Sequence, residues 1–160
     1  MPSECEVLVS GSGPYAVTFR FTNDSPQPLF VLGECHTRYT VTSCAGGYQD
    51  PLALWADCTQ DCKLADPGGC IACGACMWQG IEVTPSAPHQ TEWSGKTFTF
   101  SETTSGCQCY NAFAAPAGRY RITVPVYGSD EGAQHGDVLH EVEVPFTLPA
   151  PGGVVHVPLT

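Results

Sequence analysis

The sequence has few cationic residues and no long apolar segment, and both shortages exclude classes of function. Lys and Arg total 6 against 16 Asp and Glu, which makes the formal net charge −10 at pH 7. Nucleic acids and anionic membrane surfaces repel a chain of this charge. No stretch approaches the roughly 20 consecutive apolar residues that a membrane-spanning helix needs. The sequence therefore predicts a protein that does not bind nucleic acid and does not span a bilayer.

Recognisable catalytic motifs are also missing. The sequence has no Gly-x-Ser-x-Gly elbow, no phosphate-binding loop and no pair of carboxylates in a strand–helix setting. No window of twelve or more residues has the apolar period of an amphipathic helix. These absences predict a non-enzymatic, all-β protein with no catalytic residues and no cofactor.

What is present is a series of short strand patterns separated by turn residues. Apolar and polar residues alternate over 15–22, which is typical of a strand with one buried face. Further strand patterns lie at 29–32, 38–42, 81–84, 96–101, 120–126, 138–147 and 155–159. We expect eight residues of two strands to share one interior: Tyr15, Val17, Phe19, Phe21, Tyr120, Ile122, Val124 and Val126. Many short strands favour one β-sandwich domain over residues 1–160.

Two segments break the strand pattern. Residues 45–79 carry five cysteines, show little periodicity and are interpreted as a cysteine-rich insertion, with a candidate helical turn at 52–58. Residues 102–117 carry Cys107 and Cys109 and are also predicted to be irregular. Because long loops without secondary structure are uncommon in compact domains, we expect disulfides to hold both segments.

Cysteine is the most informative residue type. An even count of ten in 160 residues favours five disulfides. The candidates are Cys5, Cys35, Cys44, Cys58, Cys62, Cys70, Cys73, Cys76, Cys107 and Cys109. A bridge between Cys107 and Cys109 would close a small, strained ring. We therefore predict at least one bridge from the 102–117 segment to the cysteines of 57–77.

The cysteine content also predicts where the protein resides. Disulfides form in oxidising compartments, which favours a secreted, periplasmic or cell-surface location. Residues 1–4 lack the basic start and the apolar run of a signal peptide. We therefore expect that a signal peptide or a lipoprotein leader has been removed.

The Cys-x-x-Cys-x-x-Cys run over 70–76 leaves a second interpretation open. Thiolates at this spacing bind zinc or iron–sulfur clusters. However, Met77 follows the last cysteine where a ferredoxin-type pattern continues to a further cysteine and proline, and Cys58-x-x-x-Cys62 does not match a second zinc unit. We therefore predict no metal site, and a metal-binding or redox protein is the alternative.

The histidines and the acidic residues add no site of their own. The five histidines are His36, His89, His135, His140 and His156, and no spacing among them is typical of a metal site. We expect isolated or hydrogen-bonded side chains. The acidic stretch at 129–132, with Asp137, lacks the EF-hand spacing and is predicted to be a solvated hairpin tip.

Several short motifs resemble one family. They are a strand over 15–22 that ends in Asn23-Asp24-Ser25, a polar segment that leads to Trp93, and Pro116-Ala117-Gly118-Arg119-Tyr120 at the start of a late strand. Over residues 15–127 this order resembles the BsuPI-type proteinase-inhibitor domain. The resemblance implies an immunoglobulin-like antiparallel β-sandwich. The cysteine-rich loop and the two strands after residue 137 depart from the family.

These observations predict a disulfide-stapled binding, structural or accessory domain of a cell-envelope or surface assembly. Its partner is expected to be another protein or a surface component. The alternatives are a metal-binding or redox protein and a protease inhibitor, both using the cysteine-rich segment at 58–76.

Overall fold

Twelve strands, one short helix and one 3₁₀ turn form the regular structure of residues 4–9, 11–64 and 69–160, which the computed structural model describes. The strands are β1 (Val17–Thr22), β2 (Leu29–Glu34), β3 (His36–Thr37), β4 (Thr40–Ser43), β5 (Gln60–Asp61), β6 (Gln79–Val83), β7 (His89–Trp93), β8 (Lys96–Glu102), β9 (Gln108–Ala114), β10 (Gly118–Tyr127), β11 (Val138–Leu148) and β12 (Val154–Pro158). Helix α1 spans Asp130–His135 and the 3₁₀ turn spans Pro151–Gly153. The all-β prediction is confirmed.

Two sheets share one apolar core. The first has the order β12-β1-β7, and the second has the order β11-β10-β2-β3, with β4 paired to β10 and β6 paired to β2. Alternate side chains of β1 and β10 enter this core, as their period of two requires. Seven of the eight residues predicted to share an interior are buried there, and Tyr15 packs against them, partly buried. The core prediction is confirmed.

A third sheet, of order β5-β9-β8, lies in the part of the chain predicted to be irregular. The predictions of irregular structure throughout 45–79 and 102–117 are therefore wrong at β5 and β9. Strand β9 has no alternation of apolar and polar residues that would reveal it, because only Cys109 among its seven residues is buried. Its register comes from the antiparallel pairing with β8 instead. Most strand pairs are antiparallel, as expected, while β12 on β1 and β5 on β9 are parallel.

The candidate helical turn at 52–58 is absent: residues 52–56 have no regular structure, and a turn follows at 57–58. Neighbouring strands satisfy its backbone: the Leu52 amide donates to the Val41 carbonyl, and the Phe98 amide donates to the Ala53 carbonyl. These bonds to β4 and β8 replace the bonds of a helix.

The predicted hairpin tip at 129–132 is instead the start of helix α1. The Ser129 hydroxyl caps the helix by accepting from the Gly132 amide, and Gly136 ends it in a left-handed conformation. The Asp130 carboxylate accepts a hydrogen bond from the Gly80 amide at 2.6 Å, which holds the pKa of Asp130 below its usual value. Six residues are too few to show an apolar period, so the sequence did not reveal the helix.

Tyr120 locks the start of β10. Its hydroxyl donates to the Pro116 carbonyl at 2.6 Å, and burial raises the pKa of Tyr120 to about 12. A tyrosine bonded to the backbone a few residues upstream is a feature of immunoglobulin-like sandwiches. The sandwich and the family resemblance themselves stay predictions.

Candidate functional site

All ten cysteines are paired. The five disulfides are Cys5–Cys44, Cys35–Cys76, Cys58–Cys73, Cys62–Cys109 and Cys70–Cys107. The last two join the 102–117 segment to the 57–77 segment, so the predicted link is confirmed. Four of the five bridges lie in one part of the molecule, which we call the stapled end: residues 35–36, 54–64, 69–78 and the third sheet.

The three cysteines of the Cys-x-x-Cys-x-x-Cys run each reach a different part of the chain. Cys70 bonds to the residue before β9, Cys73 bonds to Cys58, and Cys76 bonds to Cys35 after β2. The run therefore serves as a staple, and the thiolates that a metal site would require are held in disulfides. Among the described residues, no group of three or more His, Cys, Asp or Glu is placed to hold a metal ion.

Residues 69–78, the stapled segment, are held at the surface. They contain no strand or helix up to residue 78, and every residue except Cys76 is exposed. The segment displays three large apolar side chains: Ile71 is 50% exposed, Met77 86% and Trp78 48%. These side chains offer apolar area from one exposed segment to a partner.

Two disulfides from this segment end at Cys35 and Cys58, and the residues next to these cysteines, His36 and Asp57, line an open cleft of about 430 Å³, which we call the aromatic cleft. Its lining comes from four parts of the fold: β3, the segment 54–59, the end of β7 and the third sheet. The side chains with chemical functions or aromatic rings include His36, Trp55, Asp57, Glu92, Phe98 and Tyr110. Residues as far apart as 36 and 110 therefore meet in one site.

A histidine–carboxylate pair forms one wall of the aromatic cleft. Nε2 of His36 lies 2.8 and 2.9 Å from the two carboxylate oxygens of Asp57. The His36 ring also stacks on Trp55, with ring centroids 5.2 Å apart and 8° between the planes. Two disulfides hold the pair, since His36 follows Cys35 and Asp57 precedes Cys58. The histidine is hydrogen-bonded, as expected.

Trp55 is held by further neighbours. The Arg38 guanidinium lies over its ring, 5.4 Å from the centroid, and the Tyr39 ring meets it edge-on at 5.3 Å. Arg38 also forms an ion pair with Glu34 at 3.2 Å. The tryptophan is thereby fixed, and a carboxylate balances the charge of the arginine beside it.

Two aromatic side chains of the third sheet, Phe98 and Tyr110, also line the cleft. Phe98 and Phe100 lie two residues apart on β8 and so share a face, and the register places Tyr110 of β9 opposite Phe100. The rings of Phe98 and Tyr110 meet edge-to-face at 5.5 Å. The sequence does not predict this part of the lining, because Tyr110 falls in a segment that is expected to be irregular. The two-residue spacing of Phe98 and Phe100 is the sequence feature that indicates an aromatic face on β8.

Two of the other histidines, His89 and His140, form hydrogen bonds within the fold. His89 contacts the Thr37 hydroxyl at 2.8 Å and stacks on Phe21, and burial lowers the pKa of His89. His140 donates to the Leu159 carbonyl at 2.7 Å. These bonds match the expectation of hydrogen-bonded side chains.

The covalent structure also bears on location. Five disulfides are typical of proteins that fold in an oxidising compartment, and they indicate an extracellular protein. No helix in the described part of the chain has the length and apolar character needed to cross a membrane.

Comparisons with protein-family models, with curated proteins and with solved structures found no match. Function must therefore be inferred from the geometry of the stapled end.

Proposed function

We propose that the protein is a non-enzymatic binding domain that acts outside the cytoplasmic membrane, as a secreted, periplasmic or surface-anchored component of an envelope or surface assembly. Its partner is another protein or a surface component, and the stapled end is the surface that contacts it. The observation that carries this proposal is the stapled segment, where three disulfides fix residues that the core does not bury.

Burial cannot explain why this segment is ordered. Since all of residues 69–78 except Cys76 are exposed, the hydrophobic effect contributes little to holding them in place. Covalent closure does this instead, at roughly 2–4 kcal/mol per bridge. A segment held in this way loses little conformational entropy on binding, which favours affinity. Ile71, Met77 and Trp78 supply apolar area, and Trp and Met are enriched at protein interfaces.

A site-specific cross-linking experiment tests the proposal. A photo-crosslinking amino acid is placed at position 77 of the full chain, and a matched protein carries it at position 139. Leu139 is a suitable control because it is 60% exposed on β11, outside the stapled end. On envelope material from the source organism, we expect a discrete adduct from position 77 and none from position 139.

Competition makes the result specific. Excess unlabelled parent protein should abolish the adduct, while excess Trp78→Ser should compete poorly. Equal adducts from positions 77 and 139, or no adduct from position 77, would contradict the proposed surface. Melting temperatures of all proteins confirm that each variant is folded.

Protease inhibition is a second candidate function, favoured by one observation. The stapled segment is exposed, lacks regular structure and is tethered at three cysteines, as a rigid substrate-like loop would be. A panel of proteases tests it: we expect stoichiometric inhibition that disappears on reduction. Digestion of the native protein without inhibition of any enzyme would contradict this candidate.

A further inference from the structure

We propose that the aromatic cleft binds the side chain of an arginine in a basic segment of the partner. This inference rests on the proposed binding function and specifies the chemistry that the cleft recognises. Its support comes from the walls, the charge and the rigidity of the cleft.

The walls have the chemistry that holds organic cations. Four aromatic side chains line the cleft: Trp55, Trp93, Phe98 and Tyr110. Trp93 is buried, and His36 and Arg38 already contact the Trp55 ring, so we assign the cation-binding faces to Phe98 and Tyr110. The faces of such rings attract cations whose charge lies within about 6 Å of the ring centroid. The fold already uses this contact twice, with Arg38 at 5.4 Å from the Trp55 centroid and Arg121 at 4.0 Å from the Tyr48 centroid.

The charge of the cleft is acidic. Asp57 and Glu92 line it, and His36 is the only basic residue among its lining residues. Arg38 lies over the Trp55 ring beside the cleft, and its charge is balanced by the ion pair with Glu34. Asp57 is engaged by His36, whereas exposed Glu92 forms none of the ion pairs found among the described residues. Glu92 is therefore the lining carboxylate that has no ion-pair partner among the described residues. The net charge of −10 adds a long-range attraction for basic partners.

Arginine fits this arrangement better than other cations do. Its planar guanidinium stacks on aromatic rings and pairs with a carboxylate through two parallel hydrogen bonds, which an ammonium group cannot do. The cleft is open, so a partner can insert a side chain while its backbone stays outside. Cys35–Cys76 and Cys58–Cys73 fix the His36–Asp57 wall before any ligand arrives.

Titration with two matched peptides tests the inference. One is N-acetyl-Gly-Arg-Gly-amide, and the other carries citrulline, which has nearly the shape of arginine without its charge. The indole N–H signal of Trp55, assigned with Trp55→Phe, is followed by NMR in the ¹⁵N-labelled protein. We expect the arginine peptide to shift this signal in a saturable manner and the citrulline peptide to leave it unchanged.

Charge variants show which carboxylate of this protein pairs with the arginine side chain. We expect Glu92→Gln to weaken binding of the arginine peptide roughly tenfold, since a charge-assisted hydrogen bond is lost. Glu131→Gln removes the same charge from exposed helix α1 and should leave the affinity unchanged. Tyr110→Leu, which removes an aromatic face and keeps an apolar side chain, should weaken binding by a smaller factor.

Several outcomes would overturn the inference. They are equal responses to arginine and citrulline, equal weakening by Glu92→Gln and Glu131→Gln, or no shift of Trp55 with the arginine peptide. A shift of Trp55 by neutral oligosaccharides that Glu92→Gln does not alter would assign the cleft to sugars instead.

The two proposals fail separately. If position 77 still forms its adduct while the arginine peptide does not bind, only the arginine site is wrong. If the peptide binds through Glu92 and position 77 forms no adduct, the partner surface assigned to the stapled segment is wrong.

Discussion

The two-sheet core and the stapled end are ordered by different forces. In the core, side chains such as Phe19, Ile122 and Val124 are fully buried, and burial contributes roughly 25 cal/mol per Å² of apolar surface. In the stapled end, Ile71 and Met77 remain at least half exposed, and four disulfides hold the backbone. The comparison indicates that this chain fixes a segment without burying it, so apolar side chains stay available for a partner.

This difference makes the stapled end dependent on redox conditions in a way that the core is not. Only Cys5–Cys44 lies outside it, where the bridge joins the N-terminal segment to the end of β4. Four experiments test this division into two regions.

Reduction should have the largest effect. Five bridges at roughly 2–4 kcal/mol each stabilise the protein by on the order of 10 kcal/mol, so a strong reductant should lower the melting temperature sharply. Hydrogen exchange under mild reduction should rise first at residues 54–62 and in β9, while β1 and β10 stay protected.

Chelators provide the control for reduction. Since every cysteine is in a disulfide, EDTA should not change the melting temperature. Unfolding by a chelator without reductant would favour the metal-binding interpretation, and equal loss of protection in β10 and β9 would contradict the division into two regions.

Val124→Asp should have the next largest effect, and it breaks the core. Val124 is 0% exposed, so the substitution buries an unpaired charge and should lower the free energy of unfolding by about 4 kcal/mol. Leu139→Asp introduces the same residue at an exposed site and should change stability by about 0.5 kcal/mol or less. Urea denaturation measures both. Similar midpoints for Val124→Asp and the parent would refute the core assignment.

Gly95→Ala addresses the junction between the regions, where β7 turns into β8. Gly95 has φ +77°, and a Cβ added there would overlap the Tyr15 carbonyl. Gly106 has φ +83°, and a Cβ there would meet nothing within 4 Å. We expect Gly95→Ala to destabilise by about 3 kcal/mol and Gly106→Ala by about 1 kcal/mol, the strain of a left-handed alanine alone. Equal losses in urea denaturation would show that the close approach does not matter.

We expect the smallest change in stability from the protonation of His89, a β7 residue whose side chain contacts the Thr37 hydroxyl of β3. Burial lowers its pKa in the folded protein, so the unfolded chain binds this proton more readily. The stability that neutral His89 confers is present above about pH 6.5 and is lost as the pH falls below that value. Urea midpoints should therefore drop on acidification, and His89→Gln should reduce the drop. His135→Gln, on exposed helix α1, should not; if it does, the acid sensitivity does not come from His89.

The alternation in β1 and β10 was sufficient to predict both strands and their shared interior. Period-two burial is a local property, and it is visible in any strand with one apolar face. The cysteine count likewise sufficed to predict disulfides. Strand β9 and helix α1 escaped prediction because neither buries a regular apolar stripe: β9 is ordered by pairing and sulfur bonds, and α1 is only six residues long.

The tertiary structure alone establishes how the cysteines pair and how the aromatic cleft is assembled. One constraint followed from the sequence, that Cys107 and Cys109 reach elsewhere, but their partners depend on which loops the sheets bring together. The cleft depends on the same assembly, since His36 meets Asp57 across 21 positions and Tyr110 reaches it from the third sheet. Composition and alternation predict which side chains are buried, because the buried face of a strand follows from the period of its own residues. Contacts between distant segments have no period, and only the packed sheets and their disulfides bring those residues together.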